Sequence, residues 1–140
     1  MGKINQTHAP TRKGSGDRGA VSLWSRSALG AAAGLTQFGV NLLVLPPGGW
    51  SANRHWHSEE DEFVVVIEGE VVLVSEAGET VLRAGDCAGF KAGDPDAHHL
   101  QNRSDQPARV VEIGTDRPES DVVTYPDLRL RRGAKGEESF

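Results

Sequence analysis

The sequence contains almost no cysteine, no long apolar run and no excess of basic residues. Its single cysteine, Cys87, excludes an internal disulfide and is typical of a reducing compartment. No stretch approaches the length of a membrane span, and the first residues lack the apolar region of a secretory signal. The net charge is −5, without a basic stripe, which argues against nucleic acid as a partner. These absences predict a cytoplasmic protein that binds neither membranes nor nucleic acid.

Helical periodicity is also missing, whereas residues that favour turns are abundant. The 140 residues include 17 glycines and seven prolines. Turn signals recur at intervals of roughly eight to twelve residues through the middle of the chain. Between them lie short apolar or alternating segments, of which 36–45, 62–67 and 108–113 are the clearest. This pattern predicts an all-β fold, either a sandwich or a barrel of short antiparallel strands.

Composition divides the chain into three predicted parts within the length of one domain. Residues 1–19 are polar and glycine-rich, so we expect a flexible N-terminal arm. Residues 20–115 carry the predicted strands, although the small residues of 28–34 are predicted to form a loop. Residues 116–140 are a charged C-terminal extension, for which we expect one strand or short helix and otherwise a tail.

Two histidines, His55 and His57, are separated by one residue in a predicted strand over 51–57, and the acidic run 59–62 follows them. In a strand, residues i and i+2 point to the same face, so both imidazoles would face one point. Imidazole and carboxylate groups are ligands that suit divalent transition metals. A third nitrogen would have to come from elsewhere, and the pair at 98–99 could supply it. Taken alone, the two histidines also fit a solvated, charged strand end.

The spacing of this segment resembles the first motif of the cupin family. That motif places a glycine, two histidines, a glutamate and a second glycine at fixed intervals. The chain meets every fixed position, with Gly49, His55, His57, Glu62 and Gly69. Asp61 would satisfy a shorter variant of the spacing, but Glu62 keeps the phase with the second glycine.

The second cupin motif is matched only in part. Gly85, Gly93, His98 and Asn102 fall in the expected order. Lys91 stands where the family has proline, and the loop before the histidine is two residues longer. The longer loop leaves open whether it shapes a pocket or only covers one.

The resemblance implies a jelly-roll β-barrel, also called a double-stranded β-helix, over residues 20–115. It implies one divalent transition metal ion inside the barrel, held by His55, His57, Glu62 and His98. Iron, manganese, nickel and zinc all suit such a ligand set, so the residue types do not identify the metal.

The resemblance also implies a function at this metal centre. One interpretation is an enzyme acting on a small oxygenated organic molecule by dioxygenase, isomerase or lyase chemistry. The alternative is a cupin that binds or senses a small molecule or a metal without turnover. Small cupins are often dimers, so we expect a homodimer, with Trp56 as its contact. No spacing identifies a catalytic or substrate-binding residue, although Gln37, Asn41 and Lys91 are candidates for lining the mouth of the site.

Several residues near the motifs have ordinary structural explanations. His99 would point away from His98, so we expect it at the surface or in an interface. Cys87 is predicted to be a small buried residue on a strand. Glu59 and Glu60 are either solvated loop acids or acceptors for the N–H groups of the imidazoles.

Overall fold

Short strands joined by tight turns make up most of the structure, a computed structural model that describes residues 2–140. The strands are β1 Thr11–Lys13, β2 Ser25–Ala28, β3 Phe38–Leu45, β4 Trp56–His57, β5 Glu62–Glu68, β6 Glu70–Ser75, β7 Gly78–Arg83, β8 Cys87–Phe90, β9 His99–Gln101, β10 Ala108–Thr115, β11 Val123–Tyr125, β12 Leu130–Gly133 and β13 Gly136–Ser139. One short helix, α1, spans Leu29–Ala32, and single 3-10 turns span Gln6–His8, Gly19–Ser22 and Pro126–Leu128. The predicted all-β fold is therefore confirmed. Among residues 2–140, no helix is long and apolar enough to cross a membrane.

The strands form three antiparallel sheets. The largest has the order β1-β2-β3-β10-β5-β8, and the others are β7-β6-β9 and β13-β12-β11-β4. At the centre of the large sheet, β10 pairs with β3 and with β5, which precede it by about 40 residues or more in sequence. In the same sheet β5, from the first motif, pairs with β8, from the second, so the two motifs are joined directly.

Alternating side chains build the core on the inner face of the large sheet. In β5, Val64 and Val66 are buried, whereas Phe63 and Ile67 are 43% and 51% exposed. The inner positions of β3 and β10 are equally apolar near one end, where Leu43 and Val110 are fully buried. Truncating a buried leucine of this kind to alanine costs about 2–5 kcal/mol of stability.

The same inner face becomes polar towards its other end. On β3, Asn41 lies two positions before the core residue Leu43, and on β10 Glu112 lies two positions after Val110. Asn41 and Glu112 are direct partners in the register of the two strands. A polar cavity therefore opens where the apolar core ends.

The turn between β5 and β6 explains the last glycine of the first motif. Gly69 has a φ of 78°, a conformation that favours glycine. A Cβ atom at this position would lie 2.8 Å from the carbonyl oxygen of Pro107 and 3.1 Å from Ala108. The glycine thus permits both the turn and the close approach of the neighbouring chain.

The termini differ from the sequence-based expectation of a flexible arm and a tail. Residues 11–13 form β1, which pairs with β2 at the edge of the large sheet. Residues 123–139 form three strands, and β11 pairs with β4 beside the predicted metal site. Polar, glycine-rich composition did not reveal these strands because they form by pairing with other segments, β1 with β2 and β11 with β4.

Two local predictions also differ from the structure. The segment predicted as a loop contains the single turn of α1, in which Gly30 packs against the backbone of Val40. The strand expected over 51–57 is regular only at Trp56–His57. Before it, His55 joins the sheet through an isolated bridge to His98 rather than through a continuous strand.

Candidate metal centre

Three imidazoles converge on one carboxylate oxygen. The Nε2 atoms of His98, His57 and His55 lie 2.9, 3.3 and 3.7 Å from Oε1 of Glu62. The structure thus brings together all four residues that the motifs indicated. At these nitrogen-to-oxygen distances, the four side chains are close enough to bind one small ion between them.

Backbone pairing positions this cluster. The N–H groups of His55 and His98 donate to each other's carbonyl oxygens at 3.2 and 3.0 Å, which joins the first motif to the second. Glu62 is the first residue of β5, and His57 is the last residue of β4. The ring of His98 is further held by stacking on Phe90, with ring centroids 3.5 Å apart and planes 6° apart.

Hydrogen bonds on the far side of each ring define which nitrogen faces the centre. Nδ1 of His55 lies 2.7 Å from the carbonyl oxygen of Asn53, and Nδ1 of His98 lies 2.9 Å from that of Asp96. A carbonyl can only accept, so both Nδ1 atoms carry the proton, and in a neutral ring Nε2 presents a lone pair.

The remaining ring, His57, is oriented by a carboxylate. Its Nδ1 donates to Oδ2 of Asp121 at 2.6 Å, and the other oxygen, Oδ1, accepts the backbone N–H of Glu59 at 2.9 Å. Asp121 is buried and lies 64 residues further along the chain, where no motif pointed to it. The sequence held no signal for this contact. Oε1 of Glu60 is more distant from the same nitrogen, at 3.5 Å.

The donor set fits a cation. Three lone-pair nitrogens and an ionised carboxylate oxygen would repel one another without a positive charge, which either a proton on an imidazole or a bound ion supplies. Two groups of side chains, His55–Glu62–His98 and His57–Glu60–Asp121, have ligand atoms within 4.8 Å of one another. Imidazole nitrogen with carboxylate oxygen is a set that binds divalent transition metals.

The pKa values of the clustered groups also favour a positive charge at this centre. Burial by itself would raise the pKa of Glu62, but hydrogen bonds with His55 and His98 and the charges of the rings outweigh it and bring the pKa well below its usual range. Burial lowers the pKa of His55, but the hydrogen bond and charge of Glu62 raise it above its usual value overall. The carboxylate therefore stays ionised at neutral pH and favours a cation beside it.

A polar cavity of about 550 Å³ adjoins the cluster. Besides the four clustered side chains, it is lined by polar groups from five strands, namely Arg12, Arg26, Asn41, Glu112 and Tyr125. The volume lies within the range of about 300–1,000 Å³ that is typical of small-molecule sites. Burial raises the pKa of Tyr125, so its hydroxyl keeps its proton at neutral pH.

One ion pair is fixed in the wall of this cavity. Arg26 donates from Nε and Nη2 to the two oxygens of Glu112 at 2.8 and 3.2 Å, and from Nη2 to the carbonyl oxygen of Ser51 at 2.8 Å. The two-pronged contact holds the carboxylate in one orientation. Sequence analysis missed both residues because β2 and β10 are 86 residues apart at this contact.

The residues expected at the mouth have different positions. Asn41 lines the cavity, as expected, whereas Gln37 is exposed on the segment before β3. Lys91 lies in an adjoining open groove with Phe38 and Phe63. The lysine that replaces the family's proline therefore does not enter the cavity.

Two other predictions are wrong. His99 is only 4% exposed, because its ring packs edge-on against Trp50 and its Nδ1 donates to the carbonyl of Ala52. Burial lowers the pKa of His99, so it is neutral at pH 7. Cys87 is exposed rather than buried, because β8 is an edge strand of the large sheet.

Fold and site together define a class of protein: antiparallel sheets around a polar cavity in which histidines and a glutamate converge. A family model described as the cupin domain matches residues 41–114, more than half of the chain. The chain therefore belongs to the cupin family, and the resemblance seen in the motifs is confirmed. None of the curated proteins matches the sequence.

Several solved structures are similar to this chain. A cupin-superfamily sugar phosphate isomerase from Silicibacter pomeroyi is 41% identical, with a TM-score of 0.86 over 98% of this chain and 90% of that chain. A proposed sugar phosphate isomerase from Acidithiobacillus ferrooxidans is 30% identical, with a TM-score of 0.76 over 83% and 74%. A protein from Thermotoga maritima described as a predicted oxalate decarboxylase is 19% identical, with a TM-score of 0.68 over 81% and 97%, and shares the fold. The predicted jelly-roll β-barrel is confirmed.

Proposed function

We propose that this protein is a metal-dependent isomerase that interconverts small phosphorylated sugars. The observation that carries the proposal is the convergence of three imidazole Nε2 atoms on Glu62 Oε1, within 3.7 Å, beside a polar cavity. The resemblance to the two structures described as sugar phosphate isomerases supports this choice of reaction among those that the cupin site allows.

One divalent ion would be held by His55, His57 and His98 through Nε2 and by the carboxylate of Glu62. When bound, it supplies a Lewis acid that polarises the carbonyl oxygen of the substrate. The Nδ1 hydrogen bonds described above keep the three rings turned so that Nε2 faces this position. Iron, manganese, nickel and zinc all remain candidates.

We assign the role of proton carrier to Glu112. Interconversion of an aldose and a ketose requires a base that removes a proton from one carbon and returns it to the next. Glu112 lines the cavity, and its carboxylate is held by Arg26, so its orientation is set before the substrate arrives. Its register partner Asn41 offers an amide for a sugar hydroxyl.

The first experiment tests metal dependence and reaction type together. Protein purified without a metal-affinity tag is stripped with a chelator and reloaded with iron(II), manganese(II), nickel(II) or zinc. Each form is incubated with aldose and ketose phosphates in D₂O, and products are followed by NMR. We expect isomerisation with deuterium incorporation in at least one metal form and none after stripping.

A matched pair of histidine variants controls this experiment. His55→Ala should abolish metal loading and turnover, whereas His8→Ala, which removes an exposed histidine, should leave both intact. Tight binding of sugar phosphates without turnover in any metal form would instead identify a binding or sensing cupin. Oxygen uptake with a small organic substrate would identify a dioxygenase, and either result would refute the isomerase proposal.

The cellular location and the oligomeric state of the protein stay predictions. We expect the protein to act in the cytoplasm on a small-molecule ligand and to form a homodimer. Trp56, the expected contact, is half-buried and pairs with Thr124 of β11. Sedimentation equilibrium of the wild type and of Trp56→Ala measures the dimer and the part that this residue takes in it.

A further inference from the structure

Two arginines face each other across neighbouring strands at the wall of the cavity. Arg12 of β1 is the direct register partner of Arg26 of β2. Both side chains line the same cavity as His55 and Glu62. Adjacent cations at direct cross-strand positions repel each other, so the pair needs an explanation.

The two guanidinium groups differ in what they bind. Arg26 is occupied by Glu112 and by the carbonyl of Ser51, although its Nη1 has no hydrogen-bond partner among residues 2–140. Arg12 is exposed and has neither an ion pair nor a side-chain hydrogen bond within the described chain. Its guanidinium lies near the indole of Trp24, with Cζ 5.9 Å from the ring centroid, while that of Arg26 lies 4.7 Å from the same ring.

An unneutralised arginine is notable in this setting. The protein has a net charge of −5, and the cavity includes the carboxylates of Glu60, Glu62, Glu112 and Asp116. Arg12 nonetheless pairs with none of them. The planar fork of a guanidinium matches the oxygens of a phosphate group, and Nη1 of Arg26 could add a further donor.

We propose that Arg12, assisted by Arg26, is the subsite that binds the phosphate group of the substrate. The inference rests on the proposed function, because it names the part of the cavity that recognises the phosphate of the sugar. It also gives the N-terminal segment a role: β1 brings a phosphate-binding side chain into a cavity whose metal ligands come from the cupin motifs. Arg12 therefore determines specificity for phosphorylated over unphosphorylated sugars.

The binding test uses the metal-loaded protein and inorganic phosphate at fixed ionic strength, followed by calorimetry. Arg12→Ala should weaken phosphate binding about tenfold or more, the scale of a lost charge-assisted hydrogen bond. Arg12→Lys, which keeps the charge but not the fork, should fall between this variant and the wild type. The matched control is Lys13→Ala, because Lys13 is the next residue of β1 and its side chain lies on the opposite face of the strand. Lys13→Ala removes the same charge as Arg12→Ala and should leave the affinity for phosphate unchanged.

A second measurement separates this inference from the isomerase proposal. In Arg12→Ala, kcat/KM for a phosphorylated sugar should fall about tenfold more than for the same sugar without phosphate. If no sugar is isomerised but phosphate binding depends on Arg12, the subsite stands and the isomerase proposal fails. Equal phosphate affinity in Arg12→Ala and Lys13→Ala overturns the subsite, and so does phosphate that binds only at the metal and is insensitive to both substitutions. Thermal unfolding confirms that each variant is folded.

Discussion

Each imidazole of the proposed metal centre is oriented by an acceptor behind it, but the acceptors differ in kind. His55 and His98 donate to backbone carbonyls, whereas His57 donates to the buried carboxylate of Asp121. A backbone carbonyl stays in place when the side chain of its residue is substituted. Of the three acceptors, only the carboxylate of Asp121 can be removed by a substitution. Its removal therefore measures how much the orientation of a ring contributes to metal binding.

Loss of Asp121 should weaken metal binding without removing a ligand. We expect Asp121→Ala to lower the affinity about 10–100-fold, the usual effect of removing a partner behind a ligating histidine. Asp121→Asn keeps an acceptor oxygen and should lose less. Affinity is measured by competition with a chromophoric chelator. Asp105→Asn, in an exposed turn, removes the same charge as a control, and an equal affinity in Asp121→Ala and wild type would contradict this role.

Glu112→Gln tests the assigned proton carrier. The amide keeps the size of the carboxylate and can still accept from Arg26, but it cannot take up a proton. We expect kcat to fall about 10²-fold or more, the range of general acid–base catalysis, while the metal content stays at the wild-type level. Steady-state kinetics and metal analysis are the two readouts, with the exposed Glu119→Gln as the control. A kcat within threefold of the wild type would rule out Glu112 as the carrier.

One arginine, Arg54, links the segment before β4 to three other parts of the fold. Arg54 donates to both oxygens of Asp127 after β11, at 2.8 and 2.9 Å, and to Glu76 between β6 and β7. It also donates to the carbonyl of Ala97, the residue before His98. The guanidinium thus links the C-terminal strands to the segment that carries a proposed metal ligand.

Arg54→Ala should destabilise the fold more than loss of a similar but exposed arginine. Arg103 makes a comparable two-pronged pair with Glu79, but both of those side chains are about half exposed, whereas that of Arg54 is 18% exposed. We expect Arg54→Ala to lower the free energy of unfolding by about 1–3 kcal/mol. Arg103→Ala should lower it clearly less, because solvent screens an exposed ion pair. Urea denaturation of the metal-free proteins measures both, and equal effects would remove Arg54 as a special link.

The pair between Arg54 and Asp127 also predicts a pH dependence. The hydrogen bond from the arginine lowers the pKa of Asp127 below its ordinary value of 3.8. A lowered folded-state pKa contributes stability that is present above the unfolded-state pKa and is lost as pH falls through the folded value. The side chain is 57% exposed, so the contribution is less than about 1 kcal/mol.

The measurement is the difference in unfolding free energy between wild type and Asp127→Asn across pH. We expect the difference to be constant above about pH 5 and to shrink below about pH 4. In the Arg54→Ala background, Asp127→Asn should give no such decline. A difference that grows towards acid pH would have the opposite sign and contradict the prediction.

At the scale of the whole molecule, the proposed ligands join separate parts of the barrel. His57 ends β4, Glu62 begins β5, and His98 precedes β9, so two sheets and the C-terminal sheet meet at the centre. A metal ion bound there adds its binding free energy to the stability of the folded chain. Metal removal should therefore affect the entire fold and not only the cavity.

Metal removal should lower the midpoint of thermal unfolding. Free metal at about 1,000 times its dissociation constant stabilises the folded state by about 4 kcal/mol. Protons compete for the imidazole nitrogens, and the pKa of His55 in the metal-free protein lies above its usual value of 6.5. We therefore expect this gain to diminish as the pH falls below about 7. Differential scanning calorimetry of loaded and stripped protein gives the difference. His55→Ala should show none, and an unchanged midpoint in the wild type would argue against an ion that binds the folded chain.

Motif spacing identified the cluster of His55, His57, Glu62 and His98, short alternating segments identified the all-β fold, and the resemblance of the motifs to the cupin family identified the barrel. Local patterns succeed here because strand alternation and fixed spacing determine which side chains share a face. The role of the four residues as ligands stays a proposal. Local patterns failed for His99, because its burial depends on the packing of Trp50 and a carbonyl from another segment.

The sequence by itself determined the periodicity of the strands and the spacing of the proposed metal ligands, because both are properties of neighbouring residues. Only the tertiary structure decided what surrounds them: Asp121 behind His57, Glu112 held by Arg26, and Arg12 at the cavity wall. These residues lie in segments that looked like a tail, a strand or an arm. Asp121 and Glu112 meet their partners across 64 and 86 residues of sequence, and Arg12 is positioned by the pairing of β1 with β2. No local pattern of side chains specifies these contacts.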